Sequence, residues 1–410
     1  MPTFQATAAF LGALLIVGAL ASGLAQRSFL SLAALFVLGG FVVGDGGLQW
    51  VSFRAQSGFV EDLAFVALIV ILFRDGLEVE GEMLQSAWHL PLRKLAIAMP
   101  LTAGIVAVAA HVLIGLSWTE SLLLGALLSP TDPVLTSNIV TNPRVPRIVR
   151  HSLNLESGLN DGLALPAVLI FLAALSTESR HFVWWRFVLQ DVGLGLVYGL
   201  ALGWLASLLM PSESTRPLEH PIPSHQKSLY ALGVAFATYG ATVLSPKGNG
   251  FIAVFVAAIV LGVRRPDLRR HFEQRADEIV EIVKLGIFVV FGSLLTLDAL
   301  ESNGWAALGL VAVAFLIARP LAVWIALLGT STDRQTRLFM GWFGPKGVAT
   351  MTFSLLVLDQ HIAGGERIFD LTALVVFCSI ALHGLTDTPG TNWIARHAER
   401  AAARASDAEA

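Results

Sequence analysis

The chain has 410 residues, 55% of them hydrophobic and 14% charged, with a formal net charge of −3. A composition this apolar excludes a water-soluble globule of that length, and the slight negative balance with scattered basic residues excludes a nucleic-acid surface. Cys378 is the sole cysteine and lies in an apolar run, which excludes a disulfide framework and a thiolate metal site.

Apolar stretches long enough to cross a bilayer, roughly 17 to 25 residues each, recur along the chain between short polar interruptions. They predict an all-α polytopic membrane protein of about thirteen transmembrane helices, centred near residues 15, 36, 67, 105, 130, 163, 199, 236, 256, 289, 316, 347 and 379. No Lys or Arg precedes the first stretch and Arg27 follows it, so it is expected to be a retained helix with its N-terminus outside, not a cleaved signal. Counted between helices, most basic residues, among them Arg93, Lys94, Lys227 and Arg265, fall on one side, while Arg54, Arg180, Arg186, Lys247 and Arg367 fall on the other. That bias places the C-terminus in the cytoplasm. Lys284 is expected near a cytoplasmic helix end, its ammonium reaching for the interface. Residues 393–410 make a short charged tail.

Two of the predicted helices are interrupted alike: SPTDP at 129–133 and FGPKG at 343–347 each place Pro beside small residues in an apolar run, about 215 residues apart. The same offset relates the helices near 105 and 316, and those near 163 and 379. The spacing predicts a transmembrane domain over 1–392 built of two six-helix repeats, about 1–176 and 226–392, joined by a linker helix at about 187–210. One intervening helix inverts the second repeat. Matching interruptions of this kind point to two crossed, discontinuous helices around a midplane transport site. The plainer alternative is that the prolines only kink packed helices.

Asp132, Glu156 and Asp161 lie in segments otherwise apolar enough for the bilayer interior, where a carboxylate is costly and marks an ion or proton site by default. Pro133 lacks an N–H and disfavours helix at the residue before it, freeing carbonyls around Ser129 to Asp132. Free carbonyls with a carboxylate suit a hard cation. Ser157 and Asp161 share a helix face, and Glu156 with Asn160 forms a second pair beside it. A buried carboxylate can hold a proton or a cation but not both comfortably, and that competition alone gives exchange. A permanently neutralised structural acid is the bland alternative. Arg319 and Lys346 need counter-charges at that depth, and Glu156 is the natural partner for one of them; Lys346 can otherwise balance partial charges where broken segments meet. His111 and His383 are expected as hydrogen-bonded side chains and not as proton relays.

TDPV at 131–134, ESGLNDG at 156–162, IARPLAV at 317–323, GPKG at 344–347 and LFRDGLE at 72–78 resemble the motifs of the sodium/proton exchanger family, in its prokaryotic NhaP-type branch of monovalent cation:proton antiporters. They occur in family order over nearly the whole chain. The resemblance implies a homodimer in the cell membrane, exchanging Na⁺ or K⁺ for H⁺ by alternating access without a cofactor. It implies Asp161 as the shared ion and proton carboxylate, with Asp132, Thr131, Ser157 and Asn160 around it, and Glu156 with Arg319 as a structural ion pair. Asn160 stands where electrogenic relatives carry a second Asp, which resembles the electroneutral branch. Arg74 occupies the position where relatives often have an acid, with Asp75 next, which leaves a third-helix ligand open. Lys346 replaces a frequent Arg, keeping the charge without the bidentate fork.

No glycine-rich phosphate loop with a following Lys-Ser or Lys-Thr is present, which argues against an ATP-driven pump, and no nucleophile–base pattern suggests an enzyme. A proton-uncoupled cation uniporter or channel on the same fold, and a membrane sensor with a vestigial site, are the competing readings.

Overall fold

The computed structural model describes residues 32–51, 53, 58–83, 88–132, 139, 142–176, 184–211, 222–244, 248–275, 277–296 and 298–409, with single helical positions between 9 and 20. Pro133, Val134, Arg27, Arg54, Arg180 and Lys247 lie outside them. Every regular element among the described residues is a helix. In chain order these are α1 (Leu32–Val43), α2 (Gly58–Met83), α3 (His89–Ile114), α4 (Trp118–Leu127), α5 (Arg147–Leu175), α6 (Trp185–Leu209), α7 (Ser224–Leu244), α8 (Gly250–Arg264), α9 (Pro266–Arg275), α10 (Asp277–Leu294), α11 (Asp298–Asn303), α12 (Trp305–Ala326), α13 (Arg334–Trp342), α14 (Val348–Asp359) and α15 (Gly365–Glu409). Each expected centre from 36 to 379 falls in one of these helices or, at 130 and 347, in a non-helical stretch at the end of one. Five of them, α3, α5, α6, α12 and α15, are long and apolar enough to cross a membrane by length and composition.

Helix ends follow the local sequence. Ser117 and Glu120 form a reciprocal capping box at the start of α4, Asn249 accepts from the amides of Phe251 and Ile252 at the start of α8, and Asp333 caps α13 through the Thr336 amide. Gly115, with φ 75°, closes α3 in the left-handed conformation that glycine tolerates best.

Small residues set the helix spacing, as they do where lipid supplies no hydrophobic drive between helices. A Cβ at Gly199 or Gly203 of α6 would stand 2.7 Å from a backbone carbonyl oxygen of α8. The same holds beside the acids: a Cβ on Gly76 would meet the Phe255 carbonyl at 2.7 Å, and one on Gly162 would strike the Phe255 ring at 2.4 Å. The Asp-Gly steps at 75–76 and 161–162 thus let α8 close against α2 and α5. One large apolar cluster joins α2, α4, α5, α8, α12, α14 and α15, and a second packs α1, α2, α10 and α14. α3 and α12 pack on each other, and each carries π-helical turns, at Lys94–Ala98 and Ala110–Ile114 in α3 and Val313–Ala318 in α12. Such turns recur at functional sites.

Lys94 and Lys227, counted above between helices, lie inside α3 and α7 and are buried; Arg265 does lie between two helices, α8 and α9, and is buried there. Lys284, expected to extend its ammonium outward from a helix end, is instead buried on α10 at 8% exposure.

Candidate functional site

Two buried non-helical stretches meet each other. One follows α4 and contains Ser129 to Asp132; the other, residues 343–347, separates α13 from α14. A helix that stops inside apolar surroundings leaves amides and carbonyls that must find partners, and here each stretch supplies the other. The Asp132 amide donates to the Pro345 carbonyl at 2.9 Å. The Asp132 carboxylate accepts from the Val348 amide at 3.3 Å, at the positive N-terminal end of α14. The Lys346 ammonium, 2% exposed, donates to the Pro130 carbonyl at 3.3 Å. Gly347 is required by this approach, since a Cβ there would lie 2.0 Å from the Asp132 Cβ.

α5 lies against this junction and carries Glu156, Ser157, Asn160 and Asp161. The Asn160 amide nitrogen donates to both the carbonyl and the hydroxyl oxygen of Thr131, at 2.8 and 3.1 Å. A carbonyl can only accept, so the amide orientation is fixed and its oxygen points elsewhere. Asn160 Oδ1 and Asp161 Oδ1 are buried and make no hydrogen bond among the described residues. Ser157 is half-buried on the same helix. Asp75 on α2 and Asp132 both act electrostatically on Asp161, as do Lys284 and Arg74. Asp75, the third-helix acid left open by the sequence, is buried and lies within electrostatic reach of Asp161. Arg74 leans outward to Glu78, 3.0 Å away. Lys284 is buried within electrostatic reach of Asp75 and Asp161, and nearby carboxylates offset part of the cost of removing an ammonium from water.

One turn earlier on α5, Glu156 is held by two cations. Arg319 approaches as a fork, with Nη1 to Oε1 at 2.9 Å and Nη2 to Oε2 at 3.3 Å, and its Nη2 also donates to the Phe343 carbonyl at 3.1 Å. Lys94, 0% exposed, donates to Glu156 Oε2 at 2.6 Å and to the Ser152 carbonyl at 3.0 Å. Gly344 admits the guanidinium, because a Cβ there would stand 1.8 Å from Arg319 Nε. The Glu156–Arg319 pair is the one the family resemblance implies, while the residues alone left Arg319 and Lys346 both open as partners; Lys94 was not among them. Arg93 donates to the carbonyls of Ala326 and Leu328 at the end of α12, while its neighbour Lys94 turns inward.

The two histidines are hydrogen-bonded. His111 meets the Leu116 carbonyl at 2.7 Å and stacks on Trp118; His383 has partners at both ring nitrogens.

Among the described residues no group of three or more His, Cys, Asp and Glu side chains converges closely enough to hold a metal ion by itself. The donors at the junction are carboxylate, amide, hydroxyl and backbone oxygens, the hard ligands that suit alkali cations.

The sodium/hydrogen exchanger transmembrane family matches residues 11–393. The chain belongs to that family. This exchanger-family chain is 25% identical over 399 residues to the K⁺/H⁺ antiporter NhaP of Alkalimonas amylolytica, covering 96% of this chain and 68% of the relative. It is 28% identical over 386 residues to the K⁺/H⁺ antiporter NhaP2 of Shewanella oneidensis, covering 92% and 65%. It therefore spans about two thirds of the length of these relatives. The fold is similar to that of the sodium proton antiporter MjNhaP1 of Methanocaldococcus jannaschii, with a TM-score of 0.78 over 94% of this chain and 98% of that one, at 19% identity. The family is one of membrane transporters, so the chain is not an enzyme.

Proposed function

We propose that this chain exchanges a monovalent cation, Na⁺ or K⁺, for a proton across the cell membrane by alternating access. The observation that carries the proposal is the burial of Asp161 and Asp132 together, with Asp75 in electrostatic reach, against two helix breaks that are hydrogen-bonded to each other. Asp161 is the shared carboxylate: a buried acid needs a positive partner, and a proton or a cation fills that role in turn. Asp132, the Thr131 oxygens, the Asn160 side-chain oxygen and Ser157 complete the ligand set, with Asp75 as a further acid. Asn160 has no titratable proton, and its amide N–H₂ is committed to Thr131, which favours one proton per cation. Glu156, Arg319 and Lys94 hold the core together, and Lys346 compensates the carbonyls where the breaks meet.

The architecture that goes with this reading has about thirteen transmembrane helices in two inverted repeats, about 1–176 and 226–392, joined by a linker helix at about 187–210 that corresponds to α6. The breaks at 128–132 and 343–347, and the mutual packing of α3 and α12, support it. The N-terminus lies outside, the tail from 393 in the cytoplasm, and the protein works as a homodimer in the lipid bilayer without a cofactor.

The test is proton flux in sealed proteoliposomes with an internal pH dye, under clamped membrane potential, with pulses of Na⁺, K⁺ or Li⁺. Wild type should show cation-dependent flux and Asp161→Asn none, while both elute as folded protein. Normal exchange by folded Asp161→Asn overturns the assignment. Tracer cation uptake with no proton movement overturns coupling and leaves a uniporter.

A further inference from the structure

α15 turns one face toward the break between α13 and α14, through Ser379, His383 and Thr386 at positions i, i+4 and i+7. His383 is 1% exposed, and its Nε2 lies 3.0 Å from the Trp342 carbonyl, the last residue of α13. Its Nδ1 is 3.2 Å from the Ser379 hydroxyl, and that same hydroxyl accepts from the Lys346 amide at 2.9 Å. The Thr386 hydroxyl accepts from the Trp342 indole N–H at 3.0 Å. Nδ1 also lies 2.9 Å from the Ser379 carbonyl, so the imidazole joins Trp342 at one nitrogen to Ser379 at the other, and the Ser379 hydroxyl oxygen carries the link on to the Lys346 amide. The rings of Phe315, Trp342 and Phe343 surround the imidazole at centroid distances of 5.6, 5.7 and 6.2 Å.

One face of one helix thus holds both lips of the break: the carbonyl that ends α13 and the amide two residues before α14. Between those lips lie the Phe343 carbonyl taken by Arg319 and the Pro345 carbonyl taken by the Asp132 amide. We propose that His383, acting through Ser379, is a positioning residue for the cation site: it sets the separation of Trp342 from Lys346, and so the place of Pro345 and of the Asp132 it anchors. His383 touches no transported ion. The inference rests on the assignment of Asp132 and Asp161 to that site.

The experiment compares wild type, His383→Ala, His383→Gln, Ser379→Ala and Asp161→Asn in proteoliposomes, all full length, reading the apparent KM for Na⁺ and K⁺ and the maximal flux separately. Thermal unfolding is recorded for each variant without added cation. Loss of a buried hydrogen-bond link should raise the apparent KM about tenfold in His383→Ala and Ser379→Ala, with maximal flux changed less than about threefold. His383→Gln, whose amide can donate to the Trp342 carbonyl, should recover KM to within about threefold of wild type. A lowered unfolding temperature with KM unmoved in both His383→Ala and Ser379→Ala means a merely structural role and overturns the inference. Should His383→Ala fail to fold, Ser379→Ala, which removes one hydroxyl, decides alone by the same criterion. Undiminished exchange by Asp161→Asn overturns the site assignment itself, which separates that failure from a failure of the positioning role.

Discussion

Glu156 offers the sharpest prediction because two cations share its carboxylate. Replacing it with Gln keeps the size and removes the charge: the remaining amide oxygen can accept from one of the two cations but neutralises neither, and the amide N–H₂ group opposes the other, which keeps only the Ser152 or the Phe343 carbonyl. Two buried cations then face each other, with Lys346 in electrostatic reach of Arg319, and no anion between them. Breaking a buried pair costs about 3 to 5 kcal/mol, and Glu156→Gln belongs at the upper end of that range. Lys94→Met removes the 2.6 Å contact but leaves the Arg319 fork in place, so its cost is that of one charge-assisted hydrogen bond, about 1.5 to 3 kcal/mol. Arg319→Met falls between, because Glu156 keeps Lys94 while the Phe343 carbonyl loses its donor. The double variant Glu156→Gln with Lys94→Met should be more stable than Glu156→Gln alone, since it removes one of the stranded charges. Chemical and thermal denaturation of the purified protein in one detergent, at one cation concentration, gives the order. If Glu156→Gln is as mild as Lys94→Met, or if the double variant shows the sum of both losses, the carboxylate is not shared as the distances state.

Gly347→Ala places a methyl group 2.4 Å from Asp132 Oδ2, and the backbone of Asp132, bonded to Pro345, has little room to give. Overpacking of this kind costs about 1 to 3 kcal/mol, so the apparent KM for the transported cation should rise roughly tenfold or more, measured as flux against cation concentration. Outside the apolar spans, the paired hydrogen bonds from Arg265, outweighing partial burial, hold the Asp267 carboxyl below its ordinary range. A depressed folded pKa contributes stability above the unfolded value, about 3.9, that is lost as pH falls through the folded one. Unfolding temperature should therefore fall more steeply on acidification below about pH 4 in wild type than in Asp267→Asn, as a thermal scan across pH 3 to 6 would show; parallel curves would refute it.

What the sequence determined by itself is local or compositional. Apolar length placed the helices, because the cost of an unpaired backbone in lipid leaves few other ways across. The price of a charge at that depth singled out Asp132, Glu156, Asp161, Arg319 and Lys346 before any contact was known. Pairing is a different matter. Arg93 and Lys94 are neighbours and look alike in a count of basic residues, yet adjacent positions on a helix point about 100° apart. One caps the end of α12 and the other enters the core to meet a carboxylate 62 residues away. Lys284, whose position suggested an interface, comes within electrostatic reach of Asp75 and Asp161 because α10 packs along α2. The bonds that join the two breaks, Asp132 to Val348 and Lys346 to Pro130, each span 216 residues. Composition and periodicity carry no information about rotation or height between helices that far apart. Only their packing, set by where glycines let backbones close and where bulky rings hold them off, decides which charges face each other.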